Sequence, residues 1–302
     1  MGARMPGMAT ASLGPGFRVG HWSDLDAMTG CTVVLPPRGN VTSCDIRGSS
    51  PGSRELVSLD PRRRLTEVHA VVLTGGSAYG LASADGVMRW LAQRGVGYET
   101  PVAIVPIVPT AVVFDLGTGR GDVHPGPSHG AAACEAATEE FETGRVGAGT
   151  GATVGKWAGP EHSSPGGLGA ARVEEAGHMV RALAVVNAVG DVLGDDGQTI
   201  AGTTLENPTF AMRALPPEEP PANTVLTIVT VEGALEKRDV HWLAARGSDG
   251  VTVSVRPAHT RYDGDVSFAI AAPTGGNTPV DIDILGPLVT RAVATAVRAA
   301  VS

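Results

Sequence analysis

The sequence predicts an α/β protein, and three observations carry that prediction. Short β-branched runs bounded by proline or glycine recur along the 302 residues, as in "CTVVL" at 31–35 and "VHAVVL" at 68–73, the mark of buried strands. Apolar residues at helical spacing lie between such runs, first at Leu81, Val87, Met88 and Leu91. Glycine is abundant, at 41 residues, while aromatics make up only 4%, so small side chains and close backbone approach must do much of the packing.

The elements follow in order. The run ending at 73 opens into "TGGSAYGLASADGVMRWLAQRG", a helix that Gly95 stops. "VAIVPIVPTAVVF" at 102–114 is strand-like, but Pro106 and Pro109 cannot donate to a ladder, so it forms an edge, a bend or two short pieces. The alanine-rich "SHGAAACEAATEEF" at 128–141 reads as helix, and "GRVGAGTGATVGKWAG" is too rich in glycine for regular structure. "MVRALAVVNAVGDV" at 179–192 returns to strand. The stretch from 194 to 222 has no apolar periodicity, and loops of that length are functional or disordered. Beyond it come a strand at 225–231, a helix containing "LEKRDVHWLAARG", the loop "RPAHTRYDGD", the strand "VSFAIAAP" and a helix from about 279 to 300.

Composition narrows the function classes. A net charge of −8 and a pI near 5.5 argue against nucleic acid as a partner. The one basic cluster, Arg62-Arg63-Arg64, follows Asp60-Pro61 and reads as a solvated turn. Cys31, Cys44 and Cys134 are odd in number and widely spaced, the pattern of reduced, buried thiols. No apolar leader opens the chain, and no stretch approaches the ~18 consecutive apolar residues of a membrane span. A cytoplasmic protein without a membrane partner is the expectation.

Several motifs carry possible chemistry. "GAGTGA" at 147–152 matches a dinucleotide fingerprint, but a polar, acidic segment precedes it and no helix follows, so a nucleotide site is not expected. "VVLTGGSAYGL" resembles a nucleophile elbow, yet Tyr79 stands where glycine is needed, and Ser77 reads as a helix N-cap. The eight histidines form no HxxxH or HExxH pair, so no metal is expected. Asp263 and Asp265 flank a glycine in a turn that could simply face water. Lys156 in its glycine-rich loop and Asn187 near a strand end are, alone, equally compatible with exposed or structural roles.

Together these segments resemble a known family. "TGCTVVL", "VHAVVLTGGSAYGLASADGVMRWL", "GRVGAGTGATVGK", "NAVGDV", "ANTVLTIVTV" and "HTRYDGD" occur in an order and at separations similar to the self-processing P1 (DmpA/BapA-type) aminopeptidases, peptidase family S58, with the nylon-oligomer hydrolase branch most similar. The resemblance spans about residues 15 to 300. It implies a four-layer αββα sandwich of the DmpA/ornithine acetyltransferase type. It also implies a precursor that cuts itself between Asn223 and Thr224, giving an α-piece of 1–223 and a β-piece of 224–302 that form one catalytic domain.

On that mapping Thr224 is the nucleophile of a hydrolase acting on small peptides or amides through an acyl-enzyme. Once N-terminal, its own α-amine, with an ordinary pKa of about 7.7 to 8.0, can act as the base. Asn187 is the candidate donor to the oxyanion, Lys156 biases the nucleophile electrostatically, and Asp263 and Asp265 orient Thr224. The resemblance also implies a tyrosine in many relatives at the position of Phe114, which would remove one hydroxyl from the substrate pocket. The resemblance implies no cofactor and a homo-oligomer of processed heterodimers. An acyltransferase on the same fold and an unprocessed binding relic stay open as alternatives, although asparagine rather than alanine before Thr224 favours the hydrolase. L-, D-, β- and ω-amino acid amides are all compatible substrates.

Overall fold

Two β-sheets lie face to face in the computed structural model of the chain, which describes residues 9–206, 223–273 and 280–302. The Pro/Glu-rich end of the long aperiodic stretch and the expected start of the last helix at 279 lie outside the described residues. The principal strands are β1 (Arg18–Asp24), β2 (Thr29–Leu35), β3 (Val41–Ile46), β4 (Ser53–Arg54), β5 (Val71–Thr74), β6 (Thr110–Val112), β7 (Gly167–Glu175), β8 (His178–Asn187), β9 (Thr224–Glu232) and β10 (Val266–Ala272). One sheet has the order β1-β2-β5-β6-β4, the other β7-β8-β9-β10-β3. The principal helices are α1 (Ser83–Ala92), α2 (Pro127–Glu135), α3 (Lys237–Ser254) and α4 (Ile282–Ala299).

The alternation of side chains along each strand builds the layers. Val71 and Leu73 of β5 enter a core between the sheets, while Val72 between them packs with Val87, Trp90 and Leu91 of α1. In the other sheet Leu226 and Ile228 of β9 and Phe268 and Ile270 of β10 face the same central core, whereas Val225, Val229 and Val231 pack outward with Leu243 of α3 and Val289 of α4. Both faces of each sheet are therefore covered, and the layers run helix, sheet, sheet, helix. This is the αββα sandwich that the family resemblance implies. Strands β5 and β6, and likewise β9 and β10, pair in parallel, which requires a crossover; α1 lies within the first and α3 within the second.

Most predicted elements are present, and the departures have local causes. The 102–114 run forms two short strands, Ile104–Val105 and β6, as its prolines require. The helix from 128 stops at Glu135, and Phe141–Glu142 is extended instead. Ser77 is the first residue of a short turn rather than its cap; Gly76 holds the cap position. Strands β1, β3, β4 and β7 carry no β-branched run: β3 is "VTSCDI" and β7 is "GLGAARVEE". Their pairing in the sheet overrides weak local propensity. The three cysteines are free and buried.

Candidate active site

The junction of two neighbouring strands positions the site. Asn187, the last residue of β8, is the register partner of Thr224, the first residue of β9. On the other side of β9, the turn before β10 brings Asp263, Gly264 and Asp265 to the same end of the sheet, and Asn223 forms a one-residue parallel bridge with Asp263. The glycine-rich loop carries Lys156 beneath β8, held there by bonds from Gly155 N to Gly190 O at 2.9 Å and from Trp157 N to Val189 O at 3.1 Å. Gly155 has φ +77, and a Cβ there would meet the Gly202 carbonyl carbon at 2.1 Å, so the loop can close only with glycine at this point.

All five candidate residues are buried: Asn187 is 0% exposed, Asp263 2%, Asp265 3%, Thr224 5% and Lys156 7%. The readings of Lys156 as an exposed loop residue and of the aspartates as facing water are therefore excluded.

The hydrogen bonds define the chemistry available. The Thr224 hydroxyl donates to the Asn223 carbonyl oxygen. That oxygen also accepts the Gly264 N–H at 2.8 Å, and Asn223 N donates to Tyr262 O at 3.3 Å. The Asp265 carboxylate accepts Val225 N–H at 2.6 Å through Oδ1, while Oδ2 faces Nδ1 of His259 at 2.7 Å. Asp263 Oδ2 accepts Thr260 N–H at 2.7 Å. Lys156 Nζ donates to both oxygens of Asn187, at 2.8 Å to Oδ1 and 3.1 Å to the backbone O. The Asn187 amide donates to Phe114 O at 3.0 Å, which ties the end of β8 to the segment following β6. Phe114 itself is partly exposed.

Burial dominates the electrostatics. It pulls the Lys156 ammonium down to about 7 from its ordinary 10.5, against the opposing charges of Asp263 and Asp115. Burial, then the charge of Asp265, raises the Asp263 carboxyl well above the usual carboxylate range. Asp115 is raised by burial as well, although Gly76 N–H, the Thr29 hydroxyl and the charge of Lys156 oppose that shift. A buried lysine poised near neutrality beside a raised carboxyl is a combination suited to proton transfer.

Three residues join this group that sequence reading did not single out. Gly264 places its N–H on the Asn223 carbonyl, and a Cβ there would meet Thr224 Oγ1 at 2.9 Å and Ser50 O at 2.8 Å. Asp115 accepts Thr29 Oγ1 and Gly76 N, both at 2.7 Å. His259 spans Asp265 and the helix α3. The only textual signal for Gly264 was its place between two aspartates. A single aspartate after a strand, as in "VVFD", and a histidine six residues before another aspartate carry no spacing rule at all. Among the described residues no group of three or more His, Cys, Asp or Glu side chains is arranged to hold a metal ion. No helix among them is long and apolar enough to cross a membrane.

Comparison with known proteins places this geometry in context. The description Peptidase family S58 matches residues 15–302. An uncharacterized aminopeptidase of Mycobacterium tuberculosis is 39% identical over 280 residues, covering 85% of this chain and 79% of the relative. The 6-aminohexanoate-oligomer endohydrolase of Kocuria sp. is 29% identical over 270 residues, covering 85% of this chain and 73% of the relative. Among solved structures, a Burkholderia sp. beta-aminopeptidase superposes with a TM-score of 0.71 at 21% identity, covering 95% of this chain and 84% of the other. The L-aminopeptidase D-Ala-esterase/amidase of Ochrobactrum anthropi, described as a variant of the Ntn hydrolase fold, gives 0.70 at 19% identity, covering 95% and 82%.

Proposed function

Because the chain belongs to peptidase family S58 and is a hydrolase of peptide or linear amide bonds, we propose that it works as a self-processed N-terminal-threonine enzyme with Thr224 as nucleophile. The observation that carries this reading is the contact of the Thr224 hydroxyl with the Asn223 carbonyl, whose oxygen is at the same time held by Gly264 N–H at 2.8 Å. These contacts support the reading, because they would hold nucleophile, scissile carbonyl and a donor to the developing oxyanion together before any bond breaks.

In the first step the Thr224 hydroxyl attacks the Asn223 carbonyl carbon and gives up its proton to a base. Lys156 is suited to accept it, because as a neutral amine its two N–H bonds match the two Asn187 oxygens and leave the lone pair free. The oxyanion stays on Gly264 N–H, and the second hydrogen of the Asn187 amide is a further candidate donor. Collapse breaks the 223–224 C–N bond, a proton passes to the departing nitrogen, and Asn223 is left as an ester on Oγ that water hydrolyses. The pieces 1–223 and 224–302 result. The freed α-amine of Thr224 then serves as base for attack on a substrate amide, and the acyl group passes from Oγ to water. Asp265, through Val225 N–H, fixes the first residues of β9, and Asp263 is the carboxyl suited to exchange a proton with the new amine. Phe114, whose carbonyl anchors the Asn187 amide, is on this reading a residue of the substrate pocket.

Intact mass of the purified protein beside Thr224→Ala tests this. Two pieces with a new N-terminus at Thr224, and a variant that stays whole, are expected. A folded wild type that remains a single chain overturns the assignment.

A further inference from the structure

His259 has acceptors on both sides of its ring. Nδ1 lies 2.7 Å from the Asp265 carboxylate and Nε2 lies 3.1 Å from the carbonyl oxygen of Ser248 in α3. A carboxylate and a backbone carbonyl can only accept, so both ring nitrogens must carry hydrogen for both contacts to be bonds, and that is the imidazolium. The main chain contributes as well: His259 N–H reaches the same carboxylate oxygen at 3.3 Å, and the residue holds φ +53, a left-handed conformation that a residue with a Cβ adopts at a cost. The loop thus accepts backbone strain to bring this ring onto Asp265.

We propose that His259 is a positioning residue that stays doubly protonated and, through Asp265, locks the first residues of the nucleophile strand. The chain of contacts is short. Ser248 O receives one ring N–H, Asp265 Oδ2 receives the other, and Asp265 Oδ1 receives Val225 N–H at 2.6 Å, one residue from Thr224. The inference rests on the reading of Thr224 as nucleophile.

Among the described residues the charged groups around the ring are few. Asp265 and Asp263 face it from its own loop, Arg47 lies beyond the end of β3, and Asp249 of α3 follows Ser248 and pairs with Arg47 at 3.6 Å and with Arg246 at 2.9 Å. Burial disfavours the charged ring and Arg47 adds to that. The hydrogen bond and charge of Asp265, with the Ser248 carbonyl, outweigh both and raise the His259 pKa above its ordinary 6.5. As pH climbs through that raised value one contact must be lost, and the clamp on β9 loosens.

Two measurements test this. In protein labelled with ring-15N histidine, with the His259 signals assigned by their loss in His259→Gln, both nitrogens are expected to stay protonated at pH values where an ordinary histidine is neutral. A single neutral tautomer at pH 7, or titration at or below 6.5, overturns the proposal, and wild type alone supplies this result through the pH response of its histidine signals if the variant fails to fold. In the processed enzyme, His259→Gln is expected to lower kcat on an amino-acid anilide by ~10- to 100-fold with KM little changed, the size of loss that slight misplacement of reacting groups causes, and to lose the alkaline limb that His259 gives the wild type. A variant with kcat within about twofold of wild type and an unchanged pH profile shows a merely structural histidine and overturns the proposal. A wild type that never cuts at Thr224 sinks the nucleophile reading instead, while the nitrogen signals of His259 still decide its protonation state independently.

Discussion

Nζ of Lys156 lies 2.8 Å from Oδ1 of Asn187 and 3.1 Å from its backbone oxygen. Both acceptors belong to the register partner of Thr224, so the state of this one amine bears directly on the end of the strand where the proposed cut lies. With its pKa pulled down to about 7 by burial, self-cleavage is expected to accelerate as pH rises from 5.5 to 8 and then to level off, since only the neutral amine accepts a proton. Precursor made by cell-free translation and followed by gel at stepped pH measures this. In Lys156→Met the cleavage rate is expected to fall by ~10²-fold or more and to lose that acid limb.

Asp115 raises the Lys156 pKa through its charge. Replacement by asparagine removes that charge, and the acid limb of self-cleavage is expected to move to lower pH. A limb that stays in place, or moves up, shows that Asp115 does not act on the lysine electrostatically.

Gly264 is the steric counterpart. A methyl group there would stand 2.9 Å from Thr224 Oγ1 and 2.8 Å from Ser50 O, while the N–H that holds the Asn223 carbonyl remains. Overpacking of this kind costs about 1–3 kcal/mol. Gly264→Ala is therefore expected to slow self-cleavage by ~10- to 100-fold, measured by the same time course, and a variant that cuts at the wild-type rate shows that the hydroxyl has room to move.

Lys156 also bears on stability. Its folded pKa lies below the unfolded one, so between pH 7 and about 10.5 the unfolded chain binds more protons and this group's contribution to stability rises with pH. Below pH 7 the full penalty of burying a charge applies. In the uncut Thr224→Ala background, adding Lys156→Met is expected to help most at pH 6 and to lose that advantage by pH 9.5. Melting temperatures of the two proteins across that range decide the matter, and an advantage that grows with pH contradicts the sign.

Phe114→Tyr adds a hydroxyl at a partly exposed position whose main-chain carbonyl is already engaged by Asn187. Stability is expected to change by less than about 0.5 kcal/mol, while relative kcat/KM values across α-, β- and ω-amino acid anilides shift. An unchanged substrate profile removes Phe114 from the substrate pocket.

Much of this was legible in the chain itself, for reasons that can be stated. Strands such as β5 and β9 are buried on both faces, so selection for apolar, β-branched residues leaves a continuous run to read. The β7 strand was not legible, because "GLGAARVEE" is extended only through its pairing with β8 and through close packing of its glycines against α4; a Cβ on Gly169 would meet Ala296 O at 2.1 Å. At the site, Thr224, Asn187, Lys156, Asp263 and Asp265 were marked by a family resemblance, and the fold brings them to one end of one sheet. Gly264 contributes only a backbone N–H, and a backbone group has no letter. Asp115 and His259 act through partners 39 or more residues away in one case and through a helix carbonyl in the other, relationships that no local spacing encodes.

The place of β9 in its sheet bears on how the protein is born. It is the middle strand, paired with β8 along one edge and with β10 along the other. A cut before Thr224 leaves every one of those ladder bonds intact, yet it turns a problem of one chain finding its own partner into a meeting of two molecules. Assembly of the precursor is first order and independent of concentration, whereas recovery of the severed form from its unfolded pieces is second order and competes with aggregation of their bare strand edges. A protein processed as proposed would then be held together chiefly by the barrier to opening its sheet. On the proposed processing, continuity of the chain is scaffolding that is needed once, during folding, and is then removed by the structure it helped to make.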